Sequence, residues 1–153
     1  MQANIESGII PEKISDFIKI NRLATICCIN EDAVPYCFNC FYVFQEKTQL
    51  LFFKSSETSF HSKLLSKNSK IAGTILPTKL DLLCLQGIQF SGKVLYDAPG
   101  QIQPWDIYHK TFPFAIAKPG NVWCIALEMT KMTDNTLIFG KKLEWNKGDK
   151  ESI

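Results

Sequence analysis

The side chains best placed to do chemistry fall in one short stretch, Lys54-Ser55-Ser56-Glu57-Thr58-Ser59-Phe60-His61-Ser62-Lys63. A cation opens it, hydroxyls crowd its middle, and His61 and Lys63 follow. The chemistry on offer is anion binding. Apolar residues at Phe60, Leu64 and Leu65 predict a short amphipathic helix, with Thr58 or Ser59 placed to accept from its first free amides. A helix N-terminus beside Lys54, His61, Lys63 and several hydroxyls suits a phosphate. The same residues also read as a capped surface helix with solvated lysines, Glu57 at its start and Lys63 and Lys67 further along matching the helix dipole. Local sequence leaves both readings open.

Two further groups invite a chemical reading. Asn39 is the strongly polar side chain in the run Val34 to Phe44. Burying an amide without a partner is costly, so Asn39 is expected to meet either neighbouring backbone or a ligand. Cys37 and Cys40 have the spacing of a redox or zinc pair, but an offset of three in a strand puts them on opposite faces. No second pair lies at zinc-ribbon spacing, so no metal is expected. There is no glycine-rich dinucleotide fingerprint, Walker loop, paired-histidine motif or nucleophile elbow. With only two histidines, His61 and His109, and no Ser/His/Asp arrangement, no catalytic residue is assigned. A reactive group would have to come from a cofactor.

Composition narrows the setting. A chain of 153 residues with 46% hydrophobic and 21% charged residues predicts one globular domain, residues 1–153, with a full core. A net charge of +2 and the absence of a basic stripe with interleaved aromatics argue against nucleic acid. Nothing resembling a signal peptide opens the sequence, and no apolar run is long enough to cross a bilayer. The six cysteines mostly sit in strand-like apolar runs, which predicts reduced, buried thiols in a cytoplasmic protein.

The elements that must position these residues follow in order. Pro11 to Asn21 reads as a helix with Ile14, Phe17 and Ile18 on one side. Leu23 to Ile29 is a nearly continuous apolar strand, expected to be covered on both faces. Asn30 to Ala33 suits a hairpin, Val34 to Phe44 a long strand, and Leu50 to Phe53 the strand leading into the hydroxyl-rich turn. Ile71 to Leu76 and Leu82 to Leu95 are the next strands, Gly87 and Gly92 marking a bulge or sharp bend. Pro104 opens a helix through Phe112. Val122 to Met129 is a strand, and Thr136 to Phe139 and Leu143 to Trp145 are short extended pieces. About six strands in hairpin-like succession, with one crossover helix, predict a mainly β, α+β architecture: an antiparallel barrel or sandwich. Tyr36, Phe38, Tyr42 and Phe44 share one strand face and exceed what one small core hides. That predicts a partner copy, or cover from the helix at Pro104 to Phe112.

In this order the segments Asn39-Cys40-Phe41-Tyr42-Val43-Phe44, Ser55 to His61, Ile71-Ala72-Gly73-Thr74-Ile75 and Gly87-Ile88-Gln89-Phe90-Ser91-Gly92 resemble the pyridoxamine-5'-phosphate-oxidase-like family of FMN-binding split barrels. The ending Thr133 to Lys142 is similar to a small bacterial branch of that family. The resemblance covers most of the chain. It implies a six-stranded antiparallel split barrel and a homodimer with FMN in a groove at the subunit interface. It also implies that Lys54, Ser55, Ser59, Phe60 and His61 hold the phosphate, with Phe60-His61 standing where the family carries a basic pair. Lys54 or Lys63 then supplies the missing charge, the ring lies along Asn39 and Phe41, and Lys141 or Lys142 adds a second basic contribution unless merely solvated. Two functions are compatible: a flavoprotein oxidoreductase passing electrons from a nicotinamide nucleotide to a small-molecule substrate, or a module of the same fold that binds flavin or haem without turnover.

Overall fold

The computed structural model describes residues 8–135 and 142–148. The elements run α1 (Glu12–Ile20), β1 (Leu23–Ile29), β2 (Pro35–Gln45), β3 (Leu50–Ser55), α2 (Phe60–Lys67), β4 (Lys70–Ile75), β5 (Gln86–Leu95), α3 (Pro104–Thr111), a 3-10 turn (Pro113–Ala117), β6 (Asn121–Asp134) and β7 (Lys142–Asn146). All strand pairs are antiparallel, in the order β3-β2-β1-β4-β5-β6-β7, and β3 also pairs with β6. That last pairing closes six strands into a barrel, with β7 added along the outer half of β6. The split-barrel expectation is met.

Alternation sets the two faces. Along β1 the even-numbered Ala24, Ile26 and Cys28 are buried, as are Cys40 and Tyr42 on β2 and Ile88, Phe90 and Val94 on β5. They form one interior cluster, to which α1 adds Ile14, Phe17 and Ile18 and α2 adds Leu64 and Leu65. Burying such aliphatic side chains contributes about 1.5–3 kcal/mol each. A second, smaller cluster lies outside the barrel. There Leu50, Phe52, Cys124 and Ala126 on the outer faces of β3 and β6 are covered by Tyr108, Ile107 and Phe112 of the α3 segment.

Several expectations are corrected. β1 is not covered on both faces: Leu23 is exposed and Thr25 and Cys27 are half-buried. On the face bearing Tyr36, Phe38, Tyr42 and Phe44, the last three turn toward the interior, while Tyr36 stays exposed. Tyr42 is buried and donates its hydroxyl to Ile18 O at 2.7 Å, and Phe38 and Phe44 pack against the interior cluster. Residues 82–85 are not strand. Asp81 accepts from Leu83 N through its side chain (2.9 Å) and from Cys84 N through its carbonyl (3.2 Å), winding the chain into a turn that leaves Leu82 and Leu83 in solvent. β6 extends past Met129 to Asp134, because β5 and β7 both pair with that stretch. The extended piece at 136–139, and Lys141, lie outside the described residues. Of the two glycines in β5, only Gly92 coincides with a bulge. The register shifts between Ser91 and Gly92, where a Cβ would collide with the Ala126 carbonyl.

Candidate functional site

The barrel is open on one side, and pairing shows where. β2 and β3 are matched only from Tyr42↔Phe53 to Gln45↔Leu50. Before Tyr42 and after Phe53 the two strands part. In antiparallel pairing with β1, Tyr42 N donates to Arg22 O and Asn30 N to Val34 O. The even-numbered residues of β2 therefore spend their backbone groups on β1, and those of Asn39 and Phe41 point into the gap.

A cavity of about 670 Å³ occupies this gap, between Phe38–Phe41 on one side and Lys54, Ser55, Ser56, Ser59 and His61 on the other. Tyr108, Phe112, Phe114, Ala115, Lys118 and Pro119 close it from α3 and the segment after it. Among the described residues, two lysines line it and no carboxylate does. The nearest carboxylate in sequence, Glu57, is exposed and accepts a hydrogen bond from the Asn121 side chain.

Each side chain is held by identifiable partners. Lys54 Nζ donates to Ala115 O at 2.6 Å, lies 3.0 Å from His109 Nε2, and sits over the Trp105 ring at 4.5 Å. His109 Nδ1 meets Trp105 O at 2.8 Å. A carbonyl can only accept, so Nδ1 carries the proton and the Nε2 lone pair is left for the Lys54 ammonium. Lys54 is thus fixed at the cavity wall by acceptors that carry no charge. Ser55, Ser59 and Ser62 form a connected hydroxyl cluster: Ser62 donates to Ser55 at 3.2 Å, and Ser59 donates to Ser62 at 2.7 Å. Ser59 is also the α2 N-cap, accepting from Ser62 N at 3.3 Å. His61 stacks on Phe38 with centroids 3.8 Å apart, and its Nε2 is 2.5 Å from Ser55 Oγ. Burial lowers its pKa below the usual histidine value.

Six of the residues singled out in the sequence, Asn39, Phe41, Lys54, Ser55, Ser59 and His61, meet at this cavity. Asn39 departs from expectation in being exposed, and its partner is the Thr25 hydroxyl on β1, which donates to Oδ1 at 2.7 Å. Phe60 and Lys63 are not brought there. They share a helix stripe with Leu64 and Lys67, which faces a separate depression beside Asn30, Glu31 and Asp32. Phe60 packs edge-on against Tyr36, centroids 4.9 Å apart. Lys142 is exposed on β7 opposite Thr133, outside the cavity lining. Tyr108, Phe112, Phe114 and Lys118 were missed, because they reach the site through the β3–β6 closure. Ser55 pairs with Asn121, so the residues just before Asn121 must lie against the hydroxyl turn. Pro119-Gly120 was the available signal. Gly120 has φ +142°, and a Cβ there would sit 2.7 Å from Ser55 O.

No family model matches the chain. A UPF0306 protein of Serratia proteamaculans is 32% identical over 137 residues, covering 89% of this chain and 94% of its own length. Another, from Pasteurella multocida, is 34% identical over 140 residues, covering 90% and 92%. The chain belongs to the UPF0306 family. Among solved structures, the UPF0306 chain is similar in fold to a heme binding protein from Mycobacterium smegmatis (TM-score 0.70, 11% identity, 91% of this chain and 60% of that one). It is also similar to an FAD-binding protein from Mesorhizobium loti (TM-score 0.62, 14% identity, 80% and 92%). A third likeness is to a Clostridium acetobutylicum protein of the pyridoxinephosphate oxidase family (TM-score 0.59, 14% identity, 88% and 92%).

The double duty of Ser59 in this UPF0306 protein gives a testable outcome. Ser59→Ala removes the α2 cap and one member of the hydroxyl cluster, and is expected to lower stability by about 1 kcal/mol. Thermal unfolding of the ligand-free variant measures this, and an unchanged midpoint contradicts the cap.

Proposed function

We propose that the cavity between β2 and β3 binds FMN, its phosphate at Lys54, Ser55, Ser59 and His61 and its ring along Asn39 and Phe41. The observation that carries this reading is the pairing of two lysines with a hydroxyl turn at the end of an aromatic-walled cavity, with no carboxylate in its lining among the described residues. Lys54 and Lys118 supply the charge that Phe60-His61 does not. Asn39 and Phe41 offer backbone donors and acceptors to the edge of a ring, and Phe41, Tyr108, Phe112 and Phe114 offer apolar surface to its faces. When bound, FMN supplies hydride and single-electron chemistry. The chain's own residues bind and orient it, and a small oxidoreductase fed by a nicotinamide nucleotide is the activity that follows. Flavin and heme binding among proteins of this fold keeps one other reading, a carrier without turnover, in the same test.

The protein is proposed to act as a homodimer with the cofactor near the interface. The apolar surface that supports this is on the outer face of the barrel, where Ile20, Leu23, Phe41, Leu76 and Leu80 are all at least half exposed around a groove of about 600 Å³. No helix among the described residues is long and apolar enough to cross a membrane.

The experiment is a titration of purified protein with FMN and, separately, riboflavin, followed by flavin fluorescence. FMN is expected to bind at least about tenfold more tightly, since its phosphate adds charge-assisted hydrogen bonds. Equal affinities contradict the phosphate assignment. Bleaching of the bound flavin by NADH or NADPH then distinguishes enzyme from carrier.

A further inference from the structure

The β1–β2 ladder sets Cys27 directly opposite Cys37, a neighbour that the Cys37/Cys40 spacing in the sequence does not suggest. The backbone bonds between these strands fall on the even-numbered pairs, as Tyr42 N to Arg22 O and Asn30 N to Val34 O show. Cys27↔Cys37 is therefore one of the pairs between them, whose side chains approach most closely, with Cα atoms about 4.5 Å apart. A disulfide spans Cα separations of about 4.4–6.8 Å, so a pair of this kind falls within its reach. The next pair of the same kind, Thr25↔Asn39, already has its side chains in contact at 2.7 Å.

Both thiols are on the outer face of the barrel, Cys37 exposed and Cys27 half-buried. The other strand cysteines differ in kind. Cys28, Cys40 and Cys124 are buried, and burial pushes the Cys40 thiol up to about 12 and that of Cys124 to about 11. Cys84 is half-buried in the loop before β5. Burial, then contact with Cys37, also raises Cys27, leaving the exposed Cys37 as the attacking group and Cys27 as the resolving one.

We propose that Cys27 and Cys37 are a redox-active dithiol that exchanges with low-molecular-weight disulfides and closes a reversible cross-strand bridge. The Cys37 thiolate attacks one sulfur of RSSR; an S–S bond to Cys37 forms, the original S–S bond breaks, and RS⁻ leaves and takes up a proton. Cys27 then loses its proton and attacks Cys37 Sγ, forming the Cys27–Cys37 bond and releasing the second thiol. The two cysteines give up two electrons and two protons, and RSSR becomes two RSH. This pair does not depend on the flavin reading.

The test uses the full chain, reduced, desalted and treated with oxidised glutathione, then acid-quenched and alkylated. Cys27 and Cys37 share a segment with no lysine or arginine between them, so cleavage after Glu31 is used to separate them before mass spectrometry. Expected is a disulfide-linked pair of peptides in the wild type, reversed by dithiothreitol. Cys27→Ser should accumulate glutathione on Cys37, and Cys37→Ser should leave Cys27 alkylated. Cys37 is exposed and Cys27 half-buried, and thermal unfolding checks that both variants fold. A wild type that retains glutathione on Cys37, a bridge through Cys84, or thiols that remain fully alkylated each overturn the proposal.

Discussion

Replacing Trp145 with alanine is expected to lower the free energy of unfolding by about 3–5 kcal/mol, a large share of the roughly 5–15 kcal/mol that holds a domain together. Trp145 is fully buried although it sits on β7, the last strand added to the sheet, and it is part of the interior cluster. Its cross-strand neighbour on β6, Thr130, is also fully buried. Removing the indole leaves a void in the interior cluster that Trp145 fills from β7. Trp145→Phe separates volume from polarity. The indole N–H has no hydrogen-bond partner among the described residues, so phenylalanine removes an unsatisfied donor while keeping most of the ring. A loss of less than about 1.5 kcal/mol is expected. Urea unfolding of both variants measures the difference; equal losses show that the void is not what destabilises the alanine variant.

The second large effect concerns ligand affinity. Lys54→Met should weaken FMN binding by roughly 10- to 100-fold, the loss of a charge-assisted hydrogen bond worth about 1.5–3 kcal/mol. The lysine is held at the cavity wall by Ala115 O and His109 Nε2 and lies over Trp105. Its ammonium is thus positioned before ligand arrives, and among the described residues no carboxylate lines the cavity beside it. Methionine keeps the length and apolar stem over Trp105, so folding should be little affected. Riboflavin, lacking the phosphate, is the internal control. A parallel loss for riboflavin and FMN means that Lys54 supports the cavity wall and does not meet a phosphate. Lys118→Met should cost less, because that side chain is exposed.

The parts of the fold legible in the sequence were those with strong periodicity. Ile14, Phe17 and Ile18 marked α1, and the alternation from Ile88 to Val94 marked β5 with its bulge at Gly92. The hydroxyl turn was legible too, because Ser59 caps α2 by purely local chemistry. What failed depended on partners far along the chain. Leu82-Leu83-Cys84-Leu85 is apolar enough for a strand, but the local bonds of Asp81 decide its conformation. β2 is aromatic on both faces, so composition could not say which face turns inward; register against β1 and packing under α1 settle it in favour of Tyr42. The far wall of the site was illegible for the same reason, since the residues 108–119 that line it reach Lys54 only through pairing of β3 with β6.

That closure also orders events during synthesis. β3 is complete at Ser55, yet the strand that covers its free edge begins at Asn121. Until the ribosome has released that later segment, Leu50 to Phe53 present an unpaired apolar edge to whatever else is nearby, and joining the two requires closing a long loop. The nascent chain is then most exposed to misassociation between the emergence of β3 and that of β6. The hairpins β1–β2 and β4–β5 need no such wait, because their partners lie close by in the chain.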